Sequence, residues 1–137
     1  MSNDSDAAPI QGRVLIVDDD PSVTDTFTRM LRLEGFEVVP ALSAEDGLVL
    51  VATQPPDAVI LDMRMPILNG LNFLRQFRRL DGMAAVPVAI VTGDYHMDDA
   101  ISTELLGLGA QIKFKPMWLE DLVTLARELV AEHRAQA

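Results

Sequence analysis

Residues 13–23 read RVLIVDDDPSV: an apolar, largely β-branched run, then Asp18, Asp19 and Asp20 in succession, then a proline. An apolar β-branched run of this length reads as a buried strand. Asp20 followed by Pro21 is a helix start, with the carboxylate as N-cap and proline at the first helical position. A strand that turns into a helix within three residues is the first part of a βαβ unit. Three adjacent carboxylates at a buried strand end repel one another and lose hydration, so this arrangement calls for a cation.

The same rhythm continues along the chain. Apolar runs recur at Val14–Val17, Glu37–Val39, Ala58–Leu61, Val88–Val91 and Ile112–Phe114, separated by segments of helical spacing. Parallel neighbours need a crossover connection, usually a helix, so five strands alternating with helices predict an α/β domain with a parallel sheet.

The first helix carries Val23, Phe27, Met30 and Leu31 inward until Gly35 ends it. Ser43 caps the second, whose apolar positions include Leu48, Val51 and Ala52 before Pro55 and Pro56 stop it. The third runs from about Leu71 to Leu80 with Leu71, Leu74 and Phe77 inward, and the fourth from about Asp98 to Leu108. The fifth, Leu119 to about Glu132, buries Leu122, Val123, Ala126, Leu129 and Val130.

The bulk composition narrows the function. With 137 residues, one folding unit is expected. Residues 1–11 read as a flexible polar tail, 12–133 as the folded domain and 134–137 as its C-terminal end, with no output domain expected. No secretion signal and no apolar run long enough to span a bilayer is present, so a soluble, cytoplasmic protein is expected, with no membrane role. Cysteine is absent, which excludes thiol catalysis, disulfides and cysteine-bound zinc. A formal charge of −10 argues against nucleic acid as a direct partner. Arg75, Arg78 and Arg79, the densest basic group, read as a solvated helix face. His96 and His133 read as surface residues, Asp98 and Asp99 as a helix start, and Trp118 as a packing anchor.

In an open parallel sheet, ligands bind outside the carboxyl ends of the strands. That rule brings Asp18 and Asp19, Asp62, Thr92 and Lys115 to one edge. Mg²⁺ prefers hard oxygen ligands and is held by a few carboxylates, waters and phosphate oxygens, so it would make the crowded acids tolerable. Asp62 is then placed to attack a phosphoryl group. The metal, the Lys115 ammonium and the Thr92 hydroxyl neutralise the charge that builds on its oxygens. Lys113 is the less suitable lysine, because it lacks a following proline. Asp20 is set aside as the helix cap.

The stretches VLIVDDDPSV, AVILDMRMPILNG, VAIVTGD and FKP, in this order and near these spacings, resemble the receiver domains of two-component response regulators, over about residues 12–133. The resemblance implies a flavodoxin-like doubly wound fold with strand order 2-1-3-4-5. It implies that Asp62 is the phosphoacceptor and that Thr92 and Lys115 contact the phosphoryl group. Asp18 and Asp19 become the acidic pair for Mg²⁺, with Asp62 and the backbone carbonyl of Arg64 as further ligands, and the Lys115–Pro116 bond is expected to be cis. Met65, Pro66 and Gly70 fit the turn after the acceptor strand. The implied donor is a histidine kinase or a histidine phosphotransfer protein. The implied output is a downstream protein bound through the face of helix four, strand five and helix five.

The chain departs from the family pattern at Ile112, where receivers usually carry Tyr or Phe. The sequence therefore predicts coupling through the 93–97 loop, GDYHM, with Tyr95 or Phe114 in place of the missing ring. Arg64 and Asp94 flank the family's water route to the phosphate; Arg64 either slows hydrolysis or points into solvent. Three other functions remain to be weighed. An aspartate-nucleophile phosphatase commonly carries a second Asp where this chain has Arg64. A degenerate receiver acting as a phosphorylation-independent binding module is opposed by the full acid, Thr and Lys set. A flavin-binding protein would have a Ser/Thr/Gly phosphate loop after the first strand, where this chain has acids.

Overall fold

The computed structural model describes residues 11–62, 67–93 and 96–136, with only the backbone path for 67–69. The expected tail before Gln11, and Arg64, Met65, Pro66, Asp94 and Tyr95, lie outside the described residues. Strands and helices alternate: β1 (Arg13–Val17), α1 (Pro21–Leu33), β2 (Glu37–Ala41), α2 (Ala44–Thr53), β3 (Ala58–Asp62), α3 (Ile67–Arg79), β4 (Val88–Thr92), α4 (Asp99–Gly107), β5 (Ala110–Phe114) and α5 (Leu119–Ala135). The five strands form one parallel sheet in the order β2-β1-β3-β4-β5, as the resemblance implied.

Strand alternation divides the core into two layers. Leu15, Val17, Val59, Leu61, Val88 and Ile90 face Val51 of α2, Leu71, Phe73, Leu74 and Phe77 of α3, and Leu105 of α4. Val14, Ile16, Ala58, Ile60, Ala89 and Val91 face Leu31 of α1 and Leu122, Leu125, Ala126 and Leu129 of α5. Covering both faces explains why the central strands are continuously apolar. Pro40 is tolerated because β2 is an edge strand and its missing N–H breaks no central ladder. No described helix is long and apolar enough to cross a membrane.

The termini of α1 follow the sequence signals. Asp20 caps the helix by accepting from the Ser22 N–H at 2.9 Å. At the other end the Phe36 N–H reaches the Leu31 carbonyl and the Gly35 N–H the Arg32 carbonyl, with Gly35 at φ 97°. This paired closure needs a left-handed residue, which glycine supplies without a Cβ penalty.

The buried face of α1 differs from the expected one: Thr24, Thr28 and Leu31 are buried, while Val23, Phe27 and Met30 are half-buried. Thr24 earns its place by donating its hydroxyl to the Asp18 carbonyl at 3.0 Å. The Thr28 hydroxyl is buried and has no hydrogen-bond partner among the described residues. Thr28→Val removes that desolvated hydroxyl at equal shape and is expected to stabilise the fold by about 1 kcal/mol. Thermal melting checks this, and a lower midpoint would rule it out.

On α2, Ala52 is exposed, and Gly47 instead lies against the sheet: a Cβ there would stand 3.1 Å from the Phe73 ring and 3.2 Å from Val17. The expectation of a solvated arginine face on α3 fails for two of its three members. Arg75 pairs with Glu104 of α4, with Nη2 2.7 Å from Oε1. Arg78 donates to the carbonyls of Leu108 at 2.7 Å, Met83 at 2.9 Å and Val86 at 2.6 Å, binding α3 to the ends of two loops. Its burial pulls its pKa below the ordinary value. Arg79 alone is exposed.

The hydrogen bond from Arg75 holds the Glu104 carboxyl below its usual pKa. A depressed carboxylate pKa contributes stability above the unfolded-state value and loses it as pH falls through the folded value. The melting-point advantage of the parent over Glu104→Gln is therefore expected at neutral pH and should vanish in acid. An advantage that persists unchanged at low pH would contradict this.

Two further expectations are corrected. Trp118 is 67% exposed and lies outside the core, because the buried stripe of α5 begins at Leu122. His133 is half-buried, with Nδ1 3.1 Å from an Asp57 oxygen, so it joins α5 to the segment before β3.

Candidate functional site

The C-terminal edge of the sheet collects the chemistry-bearing residues. Val17 and Leu61 are register partners on β1 and β3, so Asp18 and Asp62 follow side by side at adjacent strand ends. Both are buried, at 1% and 5% exposure, which is unusual for carboxylates and calls for compensation. Asp18 is oriented from both sides: its backbone N–H donates to the Ala41 carbonyl at 3.1 Å, and its Oδ1 accepts from the Asp20 N–H at 2.9 Å. Asp20 thus helps position Asp18 while it caps α1.

Lys115 provides the compensating charge. Its Nζ stands 3.0 Å from Asp62 Oδ2. Its backbone N–H donates to the Thr92 carbonyl at 2.8 Å, which fixes the turn after β5 to the end of β4. The Lys115–Pro116 peptide is cis, as the resemblance implied. Thr92 is buried at the end of β4, one residue beyond Val91, the register partner of Asp62. Lys113 is half-buried within β5, opposite Val91.

Asp18, Asp62 and Lys115 line one cavity of about 480 Å³, together with Val23 and Phe27 of α1, Ile60, Val91, Pro116 and Met117. Asp19 is exposed and does not line it, and Arg64 lies outside the described residues. Among the described residues, no group of three or more His, Cys, Asp or Glu side chains is arranged to hold a metal. Two adjacent carboxylates are nonetheless hard-oxygen donors of the kind Mg²⁺ accepts, since that ion keeps several waters and needs few protein ligands. The apolar side of this cavity was not foreseen. Its signal in the sequence is the apolar pair Val23 and Phe27 just after the acids, which reads there as ordinary core.

The aromatic departure is also visible. Ile112 pairs with Ile90 and packs partly buried on the core, while Phe114 is the register partner of Thr92 at the exposed edge of β5.

A five-stranded parallel sheet in this order, helices on both faces and an acid–lysine cluster at its carboxyl edge define a flavodoxin-like doubly wound domain. Residues 14–127 match the family model of the response regulator receiver domain, and the chain belongs to that family, whose members are regulatory phosphoacceptor domains of two-component signalling rather than enzymes. The transcriptional regulatory protein PrrA of Mycobacterium tuberculosis is 34% identical over 125 residues, covering 91% of this chain and 52% of PrrA. The response regulator MprA of Mycolicibacterium vanbaalenii is 36% identical over 121 residues, covering 86% of this chain and 50% of MprA. The chain therefore spans about half the length of these curated relatives. A CheY-like receiver domain protein from Methanospirillum hungatei superposes with a TM-score of 0.81 at 28% identity, covering 91% of this chain and 98% of its own. Receiver domains typically bind Mg²⁺.

Proposed function

We propose that Asp62 accepts a phosphoryl group from a histidine kinase or a histidine phosphotransfer protein in a Mg²⁺-dependent reaction, and that the modified domain changes its affinity for a downstream protein. The observation that carries this reading is the Lys115 ammonium 3.0 Å from a buried Asp62 carboxylate oxygen, beside Asp18. An Asp62 oxygen attacks phosphorus as the bond to the donor nitrogen breaks. Lys115 exchanges part of its pairing with Asp62 for the transferred oxygens, and the Thr92 hydroxyl donates to another of them. Mg²⁺ held by Asp18, Asp19 and Asp62, with the Arg64 carbonyl, supplies neutralisation of the phosphoryl charge when bound.

The readout face is α4, β5 and α5, where Leu106 and Phe114 are exposed. A phosphoryl group is a local charge change, and it shifts a bistable surface only as far as the partner discriminates between the two states. A cytoplasmic location accords with such a donor.

Incubation with Mg²⁺ and acetyl phosphate, followed by intact mass, tests this. A gain of one phosphoryl group that is lost in Asp62→Asn and in chelator is expected. An unchanged mass in the parent would instead favour a binding module that works without phosphate, a reading to which Ile112 lends some support.

A further inference from the structure

The phosphoryl chemistry uses only one end of the 480 Å³ cavity. Its charged end is Asp18, Asp62 and Lys115, and the rest is hydrocarbon: Ile60 and Val91 from the sheet, Val23 and Phe27 from α1, and Met117 after the cis proline. Val23, Phe27 and Met117 are half-buried, so they form a rim reachable from outside rather than a sealed core. A site that is apolar along its length and ionic at one end fits a ligand of the same polarity.

Building on the assignment of Asp62 as acceptor, we propose that this cavity is an acyl subsite, by which the domain takes its phosphoryl group directly from acyl phosphates with hydrocarbon chains longer than acetyl. The phosphoryl group sits at Asp62 and Lys115, and the acyl chain, leaving on the side opposite the attacking Asp62 oxygen, packs on the rim of Val23, Phe27 and Met117. In the reaction an Asp62 oxygen forms a bond to phosphorus and the bond from phosphorus to the acyl oxygen breaks. The electron pair leaves with that oxygen, giving a free carboxylate and the Asp62 acyl phosphate with no net proton change. The carboxylate product is then left beside Asp18, whose like charge favours its release.

Chain length gives the proposal a measurable sign. Aliphatic acyl phosphates have leaving groups of nearly equal basicity, so their intrinsic reactivities are close. Each methylene withdrawn from water is worth about fourfold in binding. With Mg²⁺ present, phosphorylation at Asp62 by acetyl, butyryl and hexanoyl phosphate is to be followed by intact mass at subsaturating donor. Butyryl phosphate is expected to react on the order of tenfold faster per mole than acetyl phosphate, and hexanoyl phosphate faster still. Val23→Phe, which fills the cavity from α1, should flatten that ladder, and Met117→Phe should do the same from the other rim if the first variant folds poorly. Without metal, hexylphosphonate should shift the Met117 methyl resonance and methylphosphonate should not. Equal rates for all three donors, or a ladder that survives both variants, would overturn the subsite and leave the acceptor assignment intact. No phosphorylation by any donor would overturn both.

Discussion

Lys115→Ala is expected to slow phosphoryl uptake at Asp62 by at least about 10²-fold, because it deletes the cation paired with the acceptor carboxylate, where charge accumulates. Lys115 Nζ stands 3.0 Å from Asp62 Oδ2. Loss of fold would give the same result, so a second measurement is needed. With the ammonium gone, a divalent cation no longer competes with it for the Asp62 carboxylate, and Mg²⁺ affinity should stay equal or rise. Trp118, the chain's single tryptophan, stands three residues after Lys115 and offers a fluorescence signal for that titration. A variant that keeps its circular dichroism, binds Mg²⁺ and fails to accept phosphate separates chemistry from folding. Uptake within threefold of the parent would remove Lys115 from the mechanism.

Phe77→Ala is expected to cost about 3–5 kcal/mol of stability, the largest structural effect of any single change considered. Phe77 is fully buried and stacks on Phe73 with ring centroids 5.6 Å apart. The Arg78 guanidinium lies 5.8 Å above its ring. Truncation therefore leaves a cavity in the layer under α3, deletes an aromatic pair and removes the surface against which Arg78 is held to three carbonyls. For a domain of this size the melting point should fall on the order of 10 °C or more. A loss near 1 kcal/mol in denaturant titration would mean that the layer collapses to fill the gap, and would contradict the close packing inferred here.

These two effects lie on opposite sides of what local sequence pattern can reveal. Phe77, Leu71 and Leu74 were readable as buried because helical periodicity reports the side of a helix that meets a sheet. Asp18, Asp62, Thr92 and Lys115 were readable because they sit at strand ends, and a parallel sheet brings all its carboxyl ends to one edge. The cap at Asp20 and the stop at Gly35 follow from backbone chemistry within a few residues.

What was misread depends on distant partners. Arg78 has the composition of a surface residue, yet its acceptors are carbonyls of residues 83, 86 and 108, which only the fold brings near. Thr24 displaces Val23 from the most buried register because its hydroxyl has an acceptor in the Asp18 carbonyl. Trp118 at the start of α5 reads as a packing anchor, but it precedes the stripe of α5 that packs on the sheet.

The most direct test is to locate the phosphoryl group. After acetyl phosphate and Mg²⁺ treatment, borohydride reduction converts an aspartyl phosphate to homoserine, and peptide sequencing by mass spectrometry identifies the residue. Homoserine at position 62, absent when donor or Mg²⁺ is withheld, is the predicted result. Reduction at 18 or 19 instead, or at no carboxylate at all, would contradict the assignment of Asp62 as phosphoacceptor.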